Sequence, residues 1–123
     1  MAIAVTTPSP ARLGFILNAT SADASACEEL KAAPGAGLSI VLDHLTINNG
    51  ANAISITIGA GETGGAVTTA LLGPISFAAN TSLQFDFHDV FPVQGLILPS
   101  ATSLTVDTSG AGAICIFARG RIV

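Results

Sequence analysis

The sequence predicts an all-β protein, an antiparallel sandwich or barrel of about eight strands. Three observations indicate this fold class. Hydrophobic and polar residues alternate with a period of two from residue 12 onward, turn residues interrupt these runs at short spacing, and no run favours a long helix. The length of 123 residues allows one domain, at residues 12–123, with an extended arm at residues 1–11 before it.

The first eleven residues have no hydrophobic face, and their two prolines disfavour a helix and a central strand. A strand is expected at residues 13–18, where large apolar side chains occupy every second position. Residues 19–26 are small and polar, which favours a loop. Residues 27–33 predict a short strand, with one helical turn as the alternative because glutamate, leucine, lysine and alanine are good helix formers.

The clearest strand lies at residues 38–47. Its alternation shifts phase at Asp43 and His44, which predicts a β-bulge or a kink between two sheets. The sequence Asn48-Asn49-Gly50 then predicts a tight hairpin turn, because asparagine and glycine accept the positive φ angles of such turns. Residues 53–58, with isoleucine at every second position, are the expected partner strand.

The rest of the chain predicts five further strands between turns. They are expected at residues 71–78 with an interruption at Gly73-Pro74, 83–87, 96–98, 104–107 and 113–123. The connecting segments are a glycine- and threonine-rich loop at 59–69, a loop at 88–95 and a turn at 109–112. The last strand is apolar on both faces at residues 114–118, which predicts a place at the centre of the sheet or against a partner subunit.

The composition indicates a surface that other subunits cover. Half of the residues are hydrophobic, 10% are charged and the mean hydropathy is +0.67. A free monomer normally carries charge on roughly a quarter or more of its surface. The net charge of −4 and the pI of about 4.7 do not fit nucleic-acid binding, which needs clustered lysine and arginine. We therefore expect a homo-oligomeric assembly protein and not an enzyme.

Targeting signals are not expected from the sequence. No apolar run approaches the ~18 residues of a membrane-spanning helix. The apolar run at residues 13–17 is shorter than the ~7 residues of a signal-peptide core. We therefore expect a protein that is made and assembled in the cytoplasm, with no membrane partner.

Two acid–histidine pairs are the candidates for a metal or acid–base site. Asp43 and His44 are adjacent, so in a strand their side chains point to opposite faces. Asp86 and His88 share a face and lead into a loop, where they can form an ion site or an ordinary polar pair. Two histidines without a third ligand in motif spacing favour the polar pair, so we expect no metal ligand.

No cofactor site or catalytic residue is expected elsewhere. Residues 59–64 match G-x-G-x-x-G, but a dinucleotide site needs a substantial helix after this motif, and Gly73-Pro74 leaves no room for one. A hairpin loop is the better interpretation. Cys27 and Cys115 are too few for a disulfide framework, and free, buried thiols are expected, with one bridge as the alternative. The chain has no tryptophan or tyrosine to stack on sugars.

The order of turns and strands resembles small jelly-roll structural proteins of tailed bacteriophages. The resemblance covers residues 26–123 and depends on residues 32–37, 45–50, 73–75, 77–80 and the ending Gly120-Arg121. It implies a jelly roll that forms trimers and acts as a head decoration, or cement, protein by binding major capsid subunits. The arm would then bind adjacent subunits. A tail or fibre module that binds a receptor or a glycan is the alternative, and the pattern contains no catalytic residue and implies no small-molecule substrate.

Overall fold

The computed structural model describes residues 3–6, 14–87 and 95–123. These residues form eight antiparallel strands and no helix, which confirms the predicted all-β class and the number of strands. The strands are β1 Ala4–Thr6, β2 Gly14–Lys31, β3 Ile40–Asn49, β4 Ile54–Thr63, β5 Ala66–Phe77, β6 Ser82–Asp86, β7 Leu96–Ile97 and β8 Leu104–Ile122. Within the described segments, no helix is long and apolar enough to cross a membrane.

The long strand β8 lies at the centre of the sheet. β2 pairs with almost its whole length on one side. On the other side β3 pairs with residues 114–122 and β4 with residues 104–108, so β3 and β4 follow one another along the same edge of β8. β1 lies outside β2, β6 and β7 lie outside β3, and β5 lies outside β4. The sheet curls into a half-barrel with a larger half around β3 and a smaller half around β4.

A single core joins the two halves of the sheet. Among the described residues, it consists of buried side chains from the five strands β2, β3, β4, β5 and β8, together with Phe87 after β6 and Leu98 after β7. The largest fully buried members are Leu17, Ile40, Leu42, Leu45, Ile47, Ile56, Ile58, Leu98, Leu104 and Ile116. Because hydrophobic side chains alternate along β2, β3, β4 and β8, one face of each strand is buried here. Burying each such side chain contributes about 1.5–3 kcal/mol relative to exposing it.

The phase shift at Asp43 is a β-bulge, as predicted. Leu42 lies opposite Gly120 and His44 opposite Arg119, so Asp43 has no counterpart in β8. The extra residue moves the alternation by one position and keeps Leu45 in the core.

The predicted hairpin between β3 and β4 is wrong. Instead of turning back, the chain continues past Gly50 along β8, because the Gly50 N–H donates to the carbonyl oxygen of Ala113 at 2.9 Å. The buried side-chain amide of Asn49 donates to the carbonyl oxygens of Asn52 and Ala78, at 2.8 and 3.0 Å. These two bonds fix the path of the chain from β3 to β4. Neither Asn49 nor Gly50 has the positive φ that a primed turn needs. β4 pairs with β5 and β8.

The loop predicted at residues 19–26 and the turn predicted at 109–112 are also wrong, since both segments lie within long strands, β2 and β8. The two segments face each other where the pairing of β2 with β8 shifts register. Two hydrogen bonds from outside this pair reach the β8 segment: the main-chain N–H of Ser55 donates to Ser109 Oγ, and Asn52 Nδ2 donates to the Ala111 carbonyl oxygen. Small and polar residues therefore mark an irregular stretch of paired strands here, although locally they resemble a loop.

The remaining expectations concern the chain ends and the connections. Residues 27–31 continue β2, so the strand predicted at 27–33 is confirmed as far as Lys31, where β2 ends. Of the predicted arm at 1–11, residues 4–6 form β1 against β2, and the Ile3 N–H donates to Glu28 Oε1 at 2.9 Å. The rest of the arm, the start of the first predicted strand and most of the loop at 88–95 lie outside the described residues.

Candidate functional site

The outer side of the larger half of the sheet carries a regular array of side chains. Three rows cross the strands β2, β8, β3 and β6 in register. Along β2, β8 and β3 the residues between these positions, such as Ile116 and Ile47, are buried in the core. In β6, Phe85 packs against the core and Leu83 is 39% exposed. We call the array the Phe117 face; its rows are Ile16, Arg119, His44 and Asp86, then Asn18, Phe117, Thr46 and Gln84, then Thr20, Cys115, Asn48 and Ser82.

The C-terminal half of β8 lies at the centre of this face. Ile114, Ile116 and Ala118 are buried on the core side, while Phe117 is 37% exposed on the outer side. Of the two places predicted for the apolar segment at 114–118, the structure shows the centre of the sheet. Contact of its outer side with a partner subunit stays a prediction. Ile16, which is 38% exposed on the neighbouring strand, adds to the apolar area.

Contacts within the face hold its central side chains in place. His44 Nε2 lies 3.1 Å from Thr46 Oγ1. The His44 ring approaches the Phe117 ring edge-on, with 6.2 Å between centroids and 63° between planes. The Cys115 thiol donates to Asn18 Oδ1 at 3.5 Å. Phe117 is thereby flanked by polar side chains that have partners within the face.

Charge on the Phe117 face is confined to one row. Arg119 and Asp86 are its charged residues, and His44 lies between them across the strands. The other two rows are uncharged. Just beyond the charged row, Arg121 Nη1 donates to Asp43 Oδ1 in a salt bridge. Asp43 and His44 thus have different partners and, as predicted, do not act as a pair.

In the structure Asp86 lies opposite His44 of the neighbouring strand β3. The predicted pair of Asp86 with His88 stays a prediction, because His88 lies outside the described residues. The sequence could not indicate this neighbour, because β3 and β6 are separated by two other strands along the chain. Among the described residues, no group of three or more histidine, cysteine or acidic side chains is placed to hold a metal ion.

Both cysteines of the chain are free thiols, as expected, but Cys115 on the Phe117 face is only partly buried, so the expectation that both are buried is wrong for Cys115. Cys27 is buried in the smaller half of the sheet, as expected for a small hydrophobic side chain. Burial raises the pKa of the Cys27 thiol, a hydrogen bond with Thr105 partly opposes this, and the nearby carboxylates of Glu62, Asp107 and Glu28 raise it further. A thiol in this environment stays protonated near neutral pH and is a poor nucleophile.

The G-x-G-x-x-G segment at residues 59–64 ends β4 and enters a tight turn. Gly64 and Gly65 have φ of 62° and 80°, which are the angles of a two-residue hairpin turn. β5 follows immediately, so the segment precedes a strand and not the helix of a dinucleotide site. The hairpin interpretation is confirmed, with a connection shorter than the predicted loop at 59–69.

Three shallow hollows on the described surface have volumes of about 200, 220 and 190 Å³. Sites for small molecules usually have about 300–1,000 Å³. The first hollow lies at the end of the Phe117 face, between Asn48, Gly50 and Cys115. None of these three hollows has the volume of a typical ligand site.

No family model, curated protein or solved structure matches this chain. The resemblance to small phage structural proteins therefore depends on the pattern of strands and turns alone.

Proposed function

We propose that the chain is a structural protein of a virus particle, specifically a decoration protein that binds the major capsid subunits of a phage head as a trimer. The protein would be made in the host cytoplasm and would act on the capsid surface. The observation that carries this proposal is the Phe117 face, a broad and mostly uncharged sheet surface with an exposed aromatic side chain at its centre. The centres of protein–protein interfaces are depleted in charge and enriched in aromatic residues.

The fold supports the same role. We propose that the two halves of the curled sheet form a sandwich of the jelly-roll type, because one cluster of buried side chains includes residues of both halves, such as Leu45 and Ile58. Such a unit presents its Phe117 face to a partner without any change in the core.

The alternative of a glycan-binding fibre module receives less support. Of the two loops that such a module would use, the β4–β5 hairpin at residues 59–69 has no aromatic residue for stacking on a sugar ring. The other loop, at 88–95, contains Phe91, which lies outside the described residues. Near the tip of the hairpin, Thr63 and Thr68 bond to each other through their hydroxyl oxygens, which lie 2.7 Å apart.

The test is the occupancy of the protein on purified particles of the virus that encodes it. Quantitative mass spectrometry should find the chain in the particles. Phe117→Glu places a charge at the centre of the face and should lower the occupancy at least roughly tenfold, which corresponds to about 1.4 kcal/mol. Leu38→Glu is the matched control, because Leu38 is 42% exposed in a loop outside the face, and it should keep wild-type occupancy.

Absence of the wild-type chain from the particles contradicts the proposal. So does wild-type occupancy of the Phe117→Glu variant, provided that urea unfolding shows that it folds.

A further inference from the structure

The chain contains one Asn-Gly sequence, at Asn49 and Gly50. Asparagine is chemically labile in this context, because glycine has no side chain that hinders attack of its main-chain nitrogen on the asparagine side chain. The Gly50 nitrogen forms a bond to Asn49 Cγ, and the Asn49 side-chain nitrogen leaves as ammonia together with the proton of the Gly50 N–H. Water then opens the resulting succinimide ring to aspartate or isoaspartate, so water is the only other reactant.

Hydrogen bonds on both sides of the labile peptide bond oppose this reaction in the folded chain. The Gly50 N–H donates to the carbonyl oxygen of Ala113 at 2.9 Å, which keeps the proton on the attacking nitrogen. The Asn49 N–H donates to the carbonyl oxygen of Thr81 at 2.8 Å. The Gly50 carbonyl oxygen accepts from the Asn80 N–H at 2.7 Å. Ring closure requires rotation about the Cα–C bond of Asn49, and these three bonds hold the main chain against that rotation.

The surroundings of the Asn49 side chain also disfavour the reaction. The residue is 6% exposed, and its amide nitrogen donates to the carbonyl oxygens of Asn52 and Ala78. Its oxygen Oδ1 is buried, and no donor in the described part of the chain bonds to it. Attack on Cγ places negative charge on this oxygen, and a buried oxyanion without a donor is not stabilised.

We infer that Asn49 is the deamidation site of this chain, that folding protects it, and that deamidation in the unfolded chain prevents folding. Aspartate at position 49 would direct one carboxylate oxygen at the carbonyl oxygens of Asn52 and Ala78 and the other into a place without a donor. A buried charge without a partner is strongly unfavourable. Isoaspartate would in addition lengthen the main chain by one carbon and disrupt the bond from Gly50 to Ala113.

The fold requires both residues of this labile pair. Asn49 fixes the path from β3 to β4 through its two hydrogen bonds. At Gly50 an added Cβ would stand 2.9 Å from both the Cβ and the carbonyl oxygen of Ala113. The close approach to β8 therefore explains why an Asn-Gly sequence lies here without forming a hairpin turn. The inference does not rest on the proposed function, because Asn49 is buried and is not part of the Phe117 face.

The rate of deamidation in folded and unfolded chains tests the protection. Wild-type protein is incubated at pH 8 in buffer and in urea, and peptide mass spectrometry follows each asparagine with time. In urea Asn49 should react faster than the other four asparagines of the chain. In the folded chain it should react at least roughly tenfold more slowly than in urea, because the reaction then requires local opening. A peptide of residues 45–54, incubated with and without urea, is the control for any effect of urea on the chemistry.

Refolding of a partly deamidated sample tests the second part of the inference. After dilution from urea, size-exclusion chromatography separates native from non-native material, and mass spectrometry determines residue 49 in each fraction. The native fraction should retain asparagine, whereas aspartate and isoaspartate should collect in the non-native fraction. As an independent check, Asn49→Asp should unfold at a lower urea concentration than Asn49→Ala, because it adds a buried charge. Asn48→Asp, at the exposed neighbouring residue, is the matched control and should unfold like the wild type.

Three results overturn the inference. The first is a similar rate at Asn49 in the folded and the unfolded chain, and the second is faster deamidation of another asparagine in urea. The third is a native fraction that contains aspartate at position 49 in the same proportion as the starting mixture. Occupancy on virus particles, measured separately with the undamaged chain, decides the proposed function whichever result is obtained here.

Discussion

Gly120 lies directly against the ring of Phe15. A Cβ added at residue 120 would stand 2.9 Å from Cζ of Phe15 and 2.1 Å from the carbonyl oxygen of Val41. Phe15 is 5% exposed and belongs to the core, while Val41 is a neighbour in β3. The central strand therefore depends on a residue without a side chain at the point where β2 and β3 approach it.

Gly120→Ala should destabilise the fold by about 3 kcal/mol, at the upper end of overpacking costs, because the main chain of Val41 cannot move as a flexible side chain would. The free energy of unfolding in urea measures the effect. Gly110→Ala in the same strand is the control, since its added Cβ would have its nearest neighbour, Ile54 Cγ2, at 4.0 Å. Equal stability of the two variants would show that β3 adjusts freely around residue 120.

Asn49→Ala should destabilise the fold by about 2 kcal/mol. The buried amide of Asn49 donates to the carbonyl oxygens of Asn52 and Ala78, and its removal leaves two acceptors without this donor. Asn48→Ala is the matched control, because the neighbouring Asn48 is exposed, and it should stay within about 0.5 kcal/mol of the wild type. The same urea titration compares both variants, and similar losses would argue against a special role of Asn49 in the crossing from β3 to β4.

The errors of the sequence-based prediction share one physical cause. The alternation of apolar and polar residues predicts the strands and even the bulge at Asp43, because both depend on which side of a strand is buried. It does not reveal which strands pair. The pattern Asn-Asn-Gly favours a hairpin locally, but the hydrogen bond from Gly50 to Ala113 directs the chain along β8. That partner lies more than sixty residues further along the chain.

The same limit applies to the candidate site. The apolar segment around Phe117 could be recognised from the sequence, as could its place at the sheet centre. Its neighbours Asn18, Thr46 and Gln84 come from three other strands, and only their register with β8 places them in one row.

The Cys27 thiol gives the fold a pH dependence. Burial holds the pKa of Cys27 above its ordinary value in the folded protein, with the nearby carboxylates adding to the shift. In the unfolded chain the thiol has a pKa of about 8.5. Between these two pKa values the folded state binds a proton that the unfolded state has lost. Stability from this thiol is thus fully present below the unfolded pKa and falls as the pH rises towards the folded pKa.

The free energy of unfolding of the wild type should therefore decrease more between pH 8 and pH 10.5 than that of Cys27→Ala, which lacks the titrating thiol. The Ala variant is expected to be less stable at pH 7 because it loses packing, so the comparison uses the slope with pH and not the absolute value. Cys115→Ser retains Cys27 and should show the wild-type slope. Parallel pH profiles of the wild type and Cys27→Ala would mean that the Cys27 thiol titrates alike in the folded and unfolded chain.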